Sequence, residues 1–454
     1  MKSLSVAAIF WLLATQVSAA PSQLKNRAAG LNPAPNTWPN ATTPSSSACR
    51  ARSPTSTGSI PSSTAVPSDS GFTSALYFTN GGLIQPNQLP VSSISHVLYA
   101  FASIANDGTV SSSSAADAGS ASGIDSVDGT TGIAAGHVAQ FFALKQANRH
   151  LKVQLSIGGY GSGDTFSAAA STEATRQQFA NTTVQLVTDW GFDGADIDWE
   201  YITTAKDKAN AILLLKATRE AFDAYAAQHT PGYHFLITFA SPAGADHYQA
   251  MNLTAMDKYL DAWNLMAYDY AGSWGTTASH QANIFANPSV ANSTVVNTDT
   301  VLSYYFSQGV VPSKINLGLP LYGRSFDATA GLGDAYNGVG PGNIEQGVWS
   351  YKSLPLPGAY ETYDDKAVGA YSYDETSQQL ITYDNPESAF NKALYIKRKG
   401  LGGAFFWEAN GDAEDERSLV SLFAKQFAQP ASGENLLSYP TSKYQNIRQG
   451  TATS

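Results

Sequence analysis

The stretch Phe192-Asp193-Gly194-Ala195-Asp196-Ile197-Asp198-Trp199-Glu200-Tyr201 alternates acidic and bulky apolar residues. Alternation is the signature of a β-strand, whose successive side chains point to opposite faces. Asp196, Asp198 and Glu200 then share one face, with same-face neighbours about 6–7 Å apart. Ile197 and Trp199 take the other face, which suits packing against helices. Like charges at this range do not all ionise cheaply, so at least one carboxyl holds its proton to higher pH. Glu200, outermost, is the best-placed proton donor. Asp198 can turn between Asp196 and a substrate, and Asp196, deepest, tunes the pair. Two other readings compete. A solvated acidic edge strand fits Ile197 and Trp199 poorly. A divalent-cation site is offered oxygen ligands by Asp-x-Asp-x-Glu. The seven histidines supply neither His-x-His nor His-x-x-x-His spacing to complete a transition-metal site.

Outward from this segment, short β-rich runs alternate with helical periods. Strands are expected at Ala75–Phe78, His96–Ala102, Lys152–Ile157, Gly194–Glu200, His234–Phe239, Ala262–Tyr268, Ile315–Leu321 and Gly403–Trp407. Helical periods lie between several of them, at Val138–Arg149, Ala174–Trp190 and Asp207–Gln228. Strand–helix alternation implies a parallel sheet, and eight strands match a closed (β/α)8 TIM barrel. In such a barrel the chemistry sits at the C-terminal ends of the strands, where the ladder ends. An open doubly wound sheet is the alternative, but no Gly-x-Gly-x-x-Gly turn follows the first strand. The gap between the last two strands exceeds one helix, and its Gly-, Tyr- and Asp-rich sequence looks partly β. The expected layout is therefore a barrel over 71–324 and 384–428, a small α+β domain inserted over 325–383 after strand seven, and a tail over 429–454.

The N-terminus reads as a secretory signal over 1–20. Lys2 precedes the apolar run Val6–Leu13, and Ser18-Ala19-Ala20 offers a cleavage site. Residues 21–70 form a low-complexity leader, dominated by Ser, Thr and Pro from about Asn32, that cannot bury enough apolar surface to fold. No later segment is apolar enough to cross a membrane, so an exported, extracellular product is expected. Sequons stand at Asn40, Asn181, Asn252 and Asn292. Cys49 is the single cysteine among 454 residues, which excludes an intramolecular disulfide framework or a thiolate metal cluster. The 36 acidic against 26 basic residues give a net charge of −10, which argues against a nucleic-acid partner.

The segment Asp193-Gly194-x-Asp196-x-Asp198-x-Glu200 resembles the signature of family 18 glycoside hydrolases, the chitinases. Other landmarks follow in the family's order. Ser156-Ile157-Gly158-Gly159 resembles Ser-x-Gly-Gly on strand three. Met266-Ala267-Tyr268-Asp269, followed by Trp274, resembles the end of strand six. Leu319-Pro320-Leu321-Tyr322-Gly323-Arg324 resembles the end of strand seven, and Trp407 the tryptophan of strand eight. Within the insertion, Tyr336-Asn337-Gly338-Val339-Gly340 and Tyr371-Ser372-Tyr373-Asp374 look like the secreted fungal subgroup.

The resemblance implies hydrolysis of β-1,4-linked N-acetylglucosamine with retention, assisted by the substrate's own acetamido group. By that likeness, Glu200 is the acid and then the base, Asp198 holds the acetamido N–H, Asp196 supports the ladder, and Tyr268 donates to the acetamido oxygen. Trp407 is the floor under the scissile sugar. Tyr77, Phe101, Tyr201, Met266, Asp269, Trp274 and Arg324 line the site, Asp269 and Arg324 either binding sugar hydroxyls or forming an ion pair. Ser156 is a hydrogen-bonding residue near the ladder, not a nucleophile. The implied enzyme needs neither metal nor organic cofactor, and works as a monomer on chitin or chito-oligosaccharides. Two departures weigh against strong processive binding of crystalline chitin: Tyr160 and Gly81 stand where many relatives carry tryptophan. A chitin-binding lectin is disfavoured by the retained Glu200. An endo-β-N-acetylglucosaminidase acting on N-glycan cores is disfavoured by the insertion.

Overall fold

The computed structural model describes residues 71–117, 132–427, 431 and 433–450. The expected signal and leader, Cys49 and the sequon at Asn40 lie outside the described residues. Eight strands carry the fold: β1 (Thr73–Thr79), β2 (His96–Ile104), β3 (Lys152–Gly159), β4 (Gly194–Trp199), β5 (Leu236–Pro242), β6 (Ala262–Met266), β7 (Ile315–Pro320) and β8 (Gly403–Trp407). All pair in parallel in chain order, and β1 joins both β2 and β8, which closes the barrel.

The ladder segment shows why the ring takes this form. Ala195, Ile197 and Trp199 are buried outside the barrel wall, where Trp199 stacks on Phe166 of the helix Gly163–Ala169 with centroids 5.2 Å apart. Asp196 and Asp198 take the interior face, since side chains alternate. At the foot of β4, a Cβ on Gly194 would stand 2.1 Å from the Leu236 carbonyl oxygen, so only glycine lets β5 approach this closely. The helices that return the chain are capped by short polar side chains. Thr172 accepts from Thr175 N–H at the start of Glu173–Trp190, and Thr204 from Asp207 N–H at the start of Ala205–His229. Gly191 ends the first of these at φ 70°.

Of the boundaries that differ from expectation, three bear on the site. β4 stops at Trp199 and β6 at Met266, so Glu200 and Tyr268 stand just beyond the strands, on the rim. Pairing gives the reason: β4 meets β5 only as far as Ile197–Phe239, and the last β6–β5 pair is Met266–Pro242. The inserted domain begins earlier than residue 325. Only Leu321 separates β7 from the strand Tyr322–Phe326, the first of a five-stranded antiparallel sheet with Val348–Ser350, Gln379–Tyr383, Gly369–Asp374 and Tyr360–Asp364. Arg324 therefore belongs to that sheet; two strands joined by one residue leave no compositional mark between them. The helical share of the insertion is, among the described residues, a single 3-10 turn at Tyr351–Ser353.

The stretch expected as a tail is packed against the N-terminal ends of the strands. Asn435 donates to the carbonyls of Lys145, Asn148 and Leu151, and Tyr439 is wholly buried, donating to the Phe192 carbonyl at 2.8 Å. Beneath it, Lys145 and Asp193 form a fully buried ion pair at 2.8 Å. Leu436 N–H and the Tyr233 hydroxyl complete the Asp193 carboxylate. Asp193 thus sits at the foot of β4, remote from the rim that bears Glu200.

Candidate active site

Strand register brings the donors to Asp196. Ser156 on β3 and Thr238 on β5 lie directly opposite it. Its Oδ2 accepts from Tyr77 at 2.7 Å and Ser156 at 2.8 Å; its Oδ1 accepts from Thr238 at 2.6 Å and Asn264 at 3.0 Å. Four O–H and N–H donors saturate this buried carboxylate. Such a shell suits an anion and is the wrong chemistry for a cation site, whose oxygens must stay free for the ion. Among the described residues, no group of three or more His, Cys, Asp or Glu side chains is arranged to hold a metal.

Asp198 lies one rung higher and is also buried, yet its Oδ1 has no hydrogen-bond partner among the described residues. Burial pushes its carboxyl well above the usual range, with the charges of Glu200 and Asp196 adding to the effect. Glu200, at the rim, is raised by burial as well. The nearby Tyr201 hydroxyl works against that rise, and the neighbouring charge of Asp269 adds to it. The main chain here is pinned by Ser162, whose hydroxyl donates to the Asp198 carbonyl at 3.1 Å and accepts from Glu200 N–H at 3.4 Å.

Aromatic rings line the interior beside the ladder. Trp407 stacks on Phe101, centroids 5.7 Å apart, and meets the edge of Tyr77 at 5.0 Å. Tyr77 itself is buried beneath, its hydroxyl committed to Asp196. Met266 and Tyr268 border the same cluster. Burial raises the phenol pKa of both Tyr77 and Tyr268, so each remains an O–H donor across the working pH range. Non-proline cis peptides occur at Ala100–Phe101, Glu200–Tyr201 and Trp407–Glu408.

Of the two readings open for Asp269 and Arg324, the structure displays the ion pair. Arg324 Nε donates to Asp269 Oδ1 at 2.6 Å, and the Tyr322 hydroxyl reaches the same oxygen at 2.6 Å. The guanidinium lies 4.8 Å over the exposed Trp274 ring. Tyr160, at the tight turn after β3, is also exposed. Thr238, Asn264, Ser162 and Tyr322 extend the set of residues around the ladder. Inward parity would have marked Thr238 and Asn264 as interior, but their meeting with Asp196 needed the register between strands.

A (β/α)8 barrel in which one strand carries a stepped set of carboxyls up to the rim, the upper two raised by burial, beside an aromatic floor has the equipment of a glycoside hydrolase. Residues 73–412 match the model of the Glycosyl hydrolases family 18. The chain is 47% identical over 387 residues to Endochitinase 1 of Metarhizium robertsii, covering 84% of this chain and 91% of the relative. It is 47% identical to Chitinase 1 of Aphanocladium album over 386 residues, with the same two coverages. The solved catalytic domain of the psychrophilic chitinase B from Arthrobacter TAD20 superposes with a TM-score of 0.70 at 29% identity, covering 81% of this chain and 97% of that one. The protein belongs to family 18 of the glycosyl hydrolases.

Proposed function

We propose that this hydrolase is a secreted chitinase that cleaves β-1,4-N-acetylglucosaminide bonds of chitin or chito-oligosaccharides with retention, the substrate's acetamido group serving as nucleophile. The observation that carries the reading is the contrast along the ladder. Asp196 is saturated, Asp198 keeps an unpaired buried oxygen, and the carboxyl of Glu200 at the rim is raised by burial. The names of the fungal relatives support the choice of substrate, and the Met1–Ala20 stretch supports export.

The steps follow from those states. Glu200 gives its proton to the glycosidic oxygen as the C–O bond breaks. The acetamido carbonyl oxygen attacks the anomeric carbon and closes an oxazolinium ring. Asp198 accepts the acetamido N–H with its free oxygen and balances the positive charge. The Tyr268 hydroxyl donates to the acetamido oxygen, and Trp407 lies under the apolar face of the sugar. Glu200, now a carboxylate, takes a proton from the water that opens the ring, which restores the acid.

Glu200→Gln removes the proton donor while keeping the side chain's shape. It is expected to lower kcat on a chito-oligosaccharide by roughly 10²–10⁴-fold and to leave oligosaccharide binding within about threefold. Near-normal turnover by this variant would assign the acid elsewhere.

A further inference from the structure

Trp274 stands on a tight turn beyond β6 and remains 60% exposed. Gly275 N–H closes that turn on the Gly272 carbonyl at 3.0 Å. One internal hydrogen bond in a four-residue turn does not by itself hold a large exposed ring in place. The indole nevertheless has a fixed seat. It lies so close to Gly272 that a Cβ there would stand 2.5 Å from two of its ring atoms. The Arg324 guanidinium covers it at 4.8 Å.

The remaining support comes from the inserted domain. Tyr336 lies in the loop between its strands Tyr322–Phe326 and Val348–Ser350. The Tyr336 hydroxyl is 2.8 Å from the Gly275 carbonyl oxygen and 3.0 Å from that of Gly272, so its one proton serves both ends of the Trp274 turn. The ring is held edge-on against Phe326, centroids 4.8 Å apart. The main chain beside it is tied to the exit of the same turn: Ala335 bridges Thr277, and Ala278 N–H donates to the Asp334 carbonyl at 2.8 Å. Arg324 and Phe326 stand two residues apart on one strand, so the guanidinium over Trp274 and the ring against Tyr336 come from the same face.

We propose that Tyr336 is a positioning residue for substrate recognition: by holding both ends of the Gly272–Gly275 turn it fixes Trp274 as a rigid platform for the oligosaccharide chain. The inference rests on the reading of Trp274 as a residue of the substrate cleft, and it assigns the support of that residue to the inserted domain. An aromatic ring that is already in place when the ligand arrives adds its full contact to binding; one that must first be ordered gives part of that contact back. Tyr336 therefore acts on binding and not on the reacting bond. Its loss should appear in KM and leave kcat in place.

The test uses Tyr336→Phe, which removes the hydroxyl and keeps the ring against Phe326. On an N-acetylglucosamine hexasaccharide it is expected to raise KM about 3–10-fold, with kcat within about twofold. Trp274→Ala should raise KM at least as much. In that background Tyr336→Phe should add less than about twofold, because the platform it holds is gone. In protein labelled with fluorinated tryptophan, the fluorine NMR signal that Trp274→Ala deletes should shift or broaden in Tyr336→Phe, while the other tryptophan signals keep their positions. An unchanged KM in either single variant, an equal rise by Tyr336→Phe with and without Trp274, or an unmoved Trp274 signal overturns the proposal. Tyr336→Leu also lacks the hydroxyl and takes the place of Tyr336→Phe, with the same outcomes, should that variant fail to fold. The fluorine signal needs no turnover, so it decides whether Tyr336 holds Trp274 even in an enzyme that leaves the hexasaccharide uncut, the result that would sink the chitinase reading instead.

Discussion

Asp198 shows at the level of one residue how the site trades stability for chemistry. Its carboxyl is buried, one oxygen lacks a partner among the described residues, and its folded pKa lies above its unfolded value of about 3.9. A carboxyl raised in this way contributes stability that is fully present below the unfolded pKa and is lost as pH rises through the folded one. Asp198→Asn removes that loss. We expect the variant to be inactive yet to melt about 2 °C or more higher than the parent at neutral pH, because each tenfold change in a protonation equilibrium between the folded and unfolded chain is worth about 1.4 kcal/mol. The gain should vanish below about pH 4. Melting curves across pH test this; equal melting temperatures at pH 7 would mean that Asp198 is not held under strain. Asp196, saturated by four donors, is the counter-example on the same strand. Alternation in the sequence put both on one face but carried no sign of which would be satisfied. That depended on Thr238 and Asn264, whose strands come together around Asp196 only in the folded ring.

At the level of elements, strands were easier to read than the ends of strands. The period-2 acidic pattern and the interleaved helical stretches were enough to count eight barrel strands. They did not tell where pairing stops, because the last residues of β4 and β6 keep the same alternation after their neighbours have turned away. Glu200 and Tyr268 gain rim positions from that early stop. Loops were less legible still. Ser162, which pins the Asp198–Glu200 main chain, stands in a loop, and His247, which stacks on Tyr201, in the short helix Ala245–Tyr248; neither stretch is long enough for composition to carry a period. The junction at Leu321 was hidden for the opposite reason: it joins two strands with no turn residues to mark the passage from barrel to insertion.

Across the whole molecule, the C-terminal segment closes the end of the barrel opposite the site. It seals the buried Lys145–Asp193 pair, whose lysine is pulled down by burial to a pKa of about 8 with Asp193 opposing the fall. Tyr439 bridges that pair to the main chain, accepting from Lys145 at 2.9 Å. Tyr439→Ala opens a cavity over a charged pair and should cost about 3–5 kcal/mol in denaturant unfolding. A change below about 0.5 kcal/mol, the scale of ordinary surface substitutions, would mean that the segment is only laid against the barrel. The opposite end carries the reaction, and there the stereochemistry of the first product decides. Hydrolysis of a defined N-acetylglucosamine hexasaccharide, followed by NMR before the anomers equilibrate, should yield new reducing ends in the β configuration, because the acetamido oxygen shields one face and water enters from the other. New ends that appear first as the α anomer would contradict attack by the acetamido group.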